Sequence, residues 1–216
     1  MLSKAKTQWA MQQLYVLLPD AKGALIAKSP FQLLIAVMLS AQATDISVNK
    51  VTPQLFADFP TPNSFANADI TAIEADIHSI GLYHHKAQYI KTCCQQLIDK
   101  FGGQMPHTHF ELEQLAGVGR KTANVVLGDA FHIPSFAVDT HVTRIAKRLN
   151  ISQVDASVTQ IEIDFQTKLP QKTWIQAHHT LISFGRQVCT ARNPHCTECP
   201  LLTICKSGQK RLIKNT

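Results

Sequence analysis

This 216-residue sequence predicts an all-α fold, on three observations. Apolar residues recur at intervals of three and four, as on one face of a helix. No stretch alternates polar and apolar residues in the way a half-buried strand requires. The breaks between apolar stretches are helix punctuation, with capping residues followed by proline or by an acidic residue three positions on. A composition of 45% hydrophobic and 17% charged residues provides a substantial core and excludes a disordered chain.

Taken in order, Leu14, Leu17 and Leu18 form the apolar face of a first helix, which Pro19-Asp20 ends. Ser29 caps a second helix with Pro30 in its first position, and Leu33, Leu34, Val37 and Met38 supply its core face. Residues 45–59, 69–80 and 85–101 read as three more, separated by "PTPNS" and "GLYHH". Thr108 and Glu111 have capping-box spacing and open a short helix that ends at Ala116. Others start near Arg120, Asp139, Ser157, Gln171 and Pro200. The total is roughly ten helices or more at ordinary helix length. Cys93 and Cys94, adjacent within a helix, are expected to pack as small apolar side chains.

A net charge of +6 and a pI near 9.1 favour a polyanionic partner, nucleic acid before an anionic membrane surface. The N-terminal stretch lacks a continuous apolar region, so no secretory signal is expected. The longest apolar run, "LLIAVMLSA", is too short to span a bilayer. The expected place is the cytoplasm, away from the membrane, where thiols stay reduced.

The stretch "EQLAGVGRKTANVVLGDA" joins two short helices through Gly117-Val118-Gly119. A glycine hairpin of this kind turns unpaired backbone N–H groups outward, a cradle for a phosphate oxygen. Glycine hairpins also join helices in proteins that bind nothing, but Arg120 and Lys121 follow at once and favour phosphate. Lys121 stands where the helix macrodipole disfavours a cation. Beside Arg120 its pKa is expected to fall, making a neutral amine available as a nucleophile. The plainer alternative is a lysine that contacts phosphate. Asp139 opens a later helix, and capping is a sufficient reason for an aspartate there. A carboxylate so held could also stabilise a sugar cation and relay protons.

Four cysteines, Cys189, Cys196, Cys199 and Cys205, are spaced C-x6-C-x2-C-x5-C. Four thiols within so short a span point to one metal centre. Zinc sites usually show two short-spaced pairs, whereas one CxxC with unequal arms suits an iron–sulfur cubane. Spacing leaves both metals open.

"LAGVGRKTANVVL", "FAVDTHVTRIAKRL", the cysteine spacing, "MLSAQATD" at 38–45 and "GLYHHKA" at 81–87 together resemble the endonuclease III family. These are iron–sulfur members of the helix-hairpin-helix DNA glycosylase superfamily, and the resemblance covers nearly the whole chain. It implies two domains: a six-helix domain over 22–133, and a helical cluster domain from 1–21 and 134–216. The implied cofactor is a 4Fe-4S cluster on the four cysteines. The implied partner is double-stranded DNA containing damaged pyrimidines or abasic sites, acted on by a monomer associated with the nucleoid. A damaged pyrimidine would be flipped out, and Lys121 would attack C1′ with Asp139 assisting, before β-elimination nicks the strand. Leu82 would wedge into the stack and Gln42 fill the vacated space, with Gly117, Gly119, Arg120, His141 and Arg192 also touching DNA. Rival readings are a monofunctional mismatch or adenine glycosylase, and a cluster-bearing DNA-binding protein without activity. The chain departs from the family pattern at Ala116, where proline is usual, so a looser hairpin entry is expected. His84-His85 replace small polar residues in a turn expected against the DNA backbone, and the first cysteine loop carries Arg192 with Asn193 and His195 in place of a more basic set.

Overall fold

The computed structural model describes residues 1–214. Those residues form helices α1 (Lys4–Leu17), α2 (Pro30–Leu39), α3 (Asp45–Asp58), α4 (Pro62–Asn67), α5 (Ile70–Ile77) and α6 (Tyr83–Phe101). They continue through α7 (His109–Leu112), α8 (Arg120–Phe131), α9 (Thr140–Arg148), α10 (Val158–Lys168), α11 (Trp174–Gln187) and α12 (Lys206–Lys214). No strand occurs among the described residues, and no helix there is long and apolar enough to cross a membrane. The helices divide into two compact units.

One unit, Ala24–Ile133, holds α2 to α8. Its axis is α2, in which every residue from Leu33 to Leu39 is buried. Ser29 starts this helix by accepting the Gln32 N–H at 3.2 Å, with Pro30 spending no donor in the first turn. A helix hydrophobic all round must be surrounded, and α3, α6 and α8 pack against it. Cys93 and Cys94 point into this core fully buried, where burial pushes the Cys93 thiol up to about 12 and the Cys94 thiol up as well. They pack as small apolar groups.

The other unit joins Met1–Gly23 to the chain from Pro134 onward. Its core centres on Leu14, Phe136, Ile145, Phe165, Leu181 and Phe184. The Phe136 and Phe165 rings stack at 4.7 Å between centroids. The N-terminus is fastened by Leu2 N–H to Asn150 O at 2.6 Å and by the Gln8 amide to Lys168 O at 2.9 Å.

Several expected elements differ in detail. The buried face of α1 is Thr7, Ala10, Met11 and Leu14, while Leu17 lies 43% exposed at the end of its turn. "PTPNS" is no separator: Thr61 and Ser64 form a reciprocal capping box with Pro62 in the first position, which starts α4. Helix α5 stops at Ile77, and α7 at Leu112 rather than Ala116. At α7 the Glu111 carboxylate accepts from the Thr108 hydroxyl at 2.7 Å, so the box closes through the side chain. Helix α6 begins at Tyr83, which puts His84 and His85 in its first turn. Beyond Pro200 the chain makes a 3-10 turn, Leu202–Ile204, before α12.

Candidate functional site

The glycine hairpin is built against α6 and α2. Gly117 has φ 76°, a left-handed conformation, and a Cβ there would stand 3.0 Å from Met38 Cε and 3.1 Å from Tyr89 Cβ. Conformation and close approach both require glycine. Val118 is buried and anchors the turn, its N–H donating to Leu115 O at 3.1 Å. Ala116 is not loosely held, contrary to the expectation drawn from its missing proline. Its backbone N–H, which proline would lack, donates to Gln96 Oε1 at 2.7 Å.

Gly119 is the N-cap of α8, with extended backbone, no side-chain cap bond and open space where a Cβ would point. The first-turn N–H groups of α8 therefore lie behind an unobstructed approach, the geometry that suits a phosphate oxygen. Lys121 sits half-buried in this first turn. Arg120 lies beside it, its Nη1 paired with Glu113 Oε1 at 3.3 Å. Glu113 thereby offsets part of the positive potential that Arg120 would impose on Lys121.

Gln42 and Leu82 share an unusual property. Both take left-handed backbone, at φ 55° and 62°, which non-glycine residues rarely adopt. Leu82 is also 55% exposed and starts α6 without a side-chain cap. An exposed leucine held in strained backbone is a poor core residue and a good projecting one. In the adjacent turn His84 Nδ1 lies 2.9 Å from Glu74 Oε1, and its ring centroid lies 3.9 Å from that of Tyr83 with the planes tilted by 32°. Helix formation turned this histidine back onto α5.

In the other unit Asp139 caps α9, its Oδ1 accepting the Val142 N–H at 2.8 Å. The second carboxylate oxygen takes no part in that cap. Two residues on, His141 Nδ1 accepts from Arg144 Nη2 at 3.0 Å, and the same nitrogen of Arg144 donates to Gly185 O at 2.8 Å. A guanidinium only donates, so Nδ1 is the bare nitrogen and the ring proton sits on Nε2. Burial pushes the His141 pKa down, against the pull of the Asp139 carboxylate and with the help of Arg144 and Arg186. Gly185 admits this packing, because a Cβ there would stand 2.8 Å from His141 Nδ1. Arg144 and Gly185 were not singled out from sequence, where an arginine and a glycine in helices carry no mark of such a contact.

The four cysteines line one cavity with apolar walls from Leu149, Phe184, Val188 and Leu202. Among the described residues no group of three His, Cys, Asp or Glu side chains closes on a point that would hold a single ion. Four thiols arranged around one cavity fit a cubane with one thiolate per iron. Burial pushes the Cys199 and Cys205 thiols up, and the neighbouring cysteines push the same way. The surroundings supply donors to sulfur: Arg148 Nη1 lies 3.3 Å from Cys189 Sγ, and the Gly208 N–H 3.3 Å from Cys205 Sγ. Arg148 also binds the carbonyls of Thr190 and Ala191, at 2.7 and 2.8 Å, fixing the first cysteine loop. Arg192 is exposed on that loop, on the rim of an open depression with His195 and Arg211.

The chain is similar to known proteins over nearly its whole length. Residues 35–171 match the HhH-GPD superfamily of base excision DNA repair proteins, and residues 189–205 match the iron–sulfur binding domain of endonuclease III. Endonuclease III of Bacillus subtilis (strain 168) is 43% identical over 98% of this chain and 96% of its own length. That of Escherichia coli (strain K12) is 40% identical over 97% of this chain and 99% of its own length. A solved structure of a trapped covalent intermediate between endonuclease III and DNA superposes with a TM-score of 0.96, at 46% identity, covering 98% of this chain and all of that one. A thermostable thymine-DNA glycosylase, 20% identical at a TM-score of 0.84, shares the fold.

Proposed function

The chain belongs to the endonuclease III family within the HhH-GPD superfamily, and from that premise we propose how its residues act. The protein is a DNA glycosylase and abasic-site lyase of base excision repair, with a 4Fe-4S cofactor. We infer that its substrates are oxidised pyrimidines in double-stranded DNA, and that it acts as a monomer in the nucleoid.

Lys121 is the nucleophile in this reading. Its neutral amine attacks C1′ of the flipped nucleotide while the C1′–N bond to the base breaks, and the departing base takes up a proton. Loss of the ring oxygen from C1′ leaves a Schiff base on Lys121. Removal of a C2′ proton then expels the 3′ phosphate oxygen, which nicks the strand, and water releases the lysine. Asp139 carries negative charge toward the sugar as positive charge develops there, while its cap bond holds the carboxylate in one rotamer. The N–H groups around Gly117 and Gly119 position a phosphate without reading sequence, with Arg120 and Arg192 adding charge. Gln42 and Leu82 enter the stack, and His141 presents its Nε2–H to the substrate strand. Cys189, Cys196, Cys199 and Cys205 would hold the cluster, and their ligation would tie the loop between α11 and α12 into its folded form.

The supporting observation is the place of Lys121 in the first turn of α8, directly behind the open hairpin. Borohydride trapping on an abasic duplex tests it. Wild-type protein should cross-link, and Lys121→Gln should bind the duplex yet neither cross-link nor nick it. Wild-type trapping by Lys121→Gln would remove this residue from the reaction.

A further inference from the structure

Lysine is rarely fully buried without a charge partner, and Lys86 is 6% exposed. It lies in the first turn of α6. Its ammonium donates to Leu39 O at 2.9 Å, across 47 positions of sequence. Its backbone N–H donates to Leu82 O at 3.0 Å, the first bond of α6. One residue is thus bonded at one end to the close of α2 and at the other to the strained leucine.

The end of α2 explains the need for a cation. Ala36 O accepts from Ser40 N–H at 3.0 Å, and Val37 O from the Ser40 hydroxyl at 2.8 Å. Met38 O accepts from Ala41 N–H at 3.4 Å, while Ala43 N–H turns away to Ser40 O at 3.1 Å. Leu39 O is left for Lys86, at the helix end whose dipole favours positive charge. The chain reverses immediately afterwards through Gln42. Burial pushes the Lys86 pKa down. A position kept for packing alone would be filled by an apolar side chain.

We propose that Lys86 is a positioning residue that clamps the Gln42 turn to the Leu82 turn, so that both side chains enter the duplex in fixed register. The inference rests on the reading of Gln42 and Leu82 as the inserted residues. Insertion of two side chains from separate turns needs their spacing held against the resistance of stacked bases. The clamp supplies that spacing through bonds, with no contact to DNA of its own.

The experiment uses the full-length, cluster-loaded protein and a duplex with one abasic site opposite 2-aminopurine. Wild type should unstack the 2-aminopurine on binding, seen as a rise in fluorescence, and then nick the strand. Lys86→Met keeps the apolar stem and removes the ammonium. It should lose the fluorescence rise and slow single-turnover nicking by 10- to 100-fold, on the order expected for a misplaced contact. The same change made in a Gln42→Ala, Leu82→Ala background should cost nothing further, because the clamp acts only through those two residues. An equal additional loss in that background would overturn the clamp. So would wild-type fluorescence from Lys86→Met. If Gln42→Ala, Leu82→Ala itself unstacks and nicks as wild type does, the insertion reading fails instead. Lys86→Gln serves as a second neutral variant, with folding read from helical circular dichroism at low temperature. Failure of both variants to fold would assign Lys86 a purely structural role and end the proposal.

Discussion

The backbone N–H of Ala116 donates to Gln96 Oε1 at 2.7 Å, tying the start of the glycine hairpin to the middle of α6. In this chain a side-chain amide thus restrains the residue at the entry of the hairpin. Loss of one such bond, with a backbone donor left unpaired, is worth about 1–3 kcal/mol. Gln96→Leu should therefore weaken binding to an abasic duplex several-fold. Adding Ala116→Pro in that background should recover most of the loss, since proline removes the orphaned donor and fixes φ. Binding isotherms of the two variants check this, and absence of recovery would show that Gln96 does not substitute for the ring.

Substitution can separate the cap that Asp139 makes on α9 from the role proposed for it at the sugar. Asparagine is as good an N-cap as aspartate, and loss of the cap altogether costs about 1 kcal/mol. Asp139→Asn should melt close to wild type but release base more slowly, by on the order of 10²-fold or more when a charge-stabilising group is lost. Asp139→Ala should lose both stability and rate. Melting curves and single-turnover base release, measured on both variants, separate the two roles. Unchanged base release by Asp139→Asn would leave capping as its whole contribution.

His141 makes stability depend on pH. Burial, Arg144 and Arg186 lower its pKa in the folded protein, so the unfolded chain binds the proton more readily. Its contribution is then complete above the unfolded value of about 6.5 and is lost as pH falls below it. The melting temperature should drop on acidification through that range, and His141→Gln should flatten the acid limb. Gly185→Ala should destabilise the same unit, because a Cβ would meet the His141 ring at 2.8 Å. Thermal melts across pH 5 to 7.5 (roughly the histidine range) are the check, and an unflattened limb would place the acid sensitivity elsewhere.

The cysteine cavity predicts a brown protein with about four irons per chain. Cys199→Ser should lower the iron content and the visible absorbance. It should also expose the α11–α12 segment to protease before the unit around α2 is cut, since ligation is coupled to folding. Arg148→Met should labilise the iron less severely, by releasing the loop carbonyls at 190 and 191 that it holds. Stoichiometric zinc in colourless protein would contradict the assignment.

What the sequence determined by itself was local. Ser29, Thr108, Asp139 and Ser157 are capping residues, and each accepts the N–H three positions on. Such bonds depend on neighbours in the chain, and the 3.6-residue period that buries α2 is equally a property of its own residues. The helix at Thr61-Pro62 carried the same local signal and was readable in principle. The cysteine spacing and the Gly-Val-Gly hairpin were legible for the same reason. Tertiary structure alone decided the contacts made across long stretches of chain. Lys86 reaches Leu39 over 47 positions, Arg148 reaches Thr190 over 42, and Gln96 reaches Ala116 over 20. Left-handed backbone at Gln42 and Leu82 belongs with them. Neither residue prefers that conformation, so it persists only because the packed surroundings hold it. Long polar side chains can satisfy many partners, and only the packing of helices brings one carbonyl within reach.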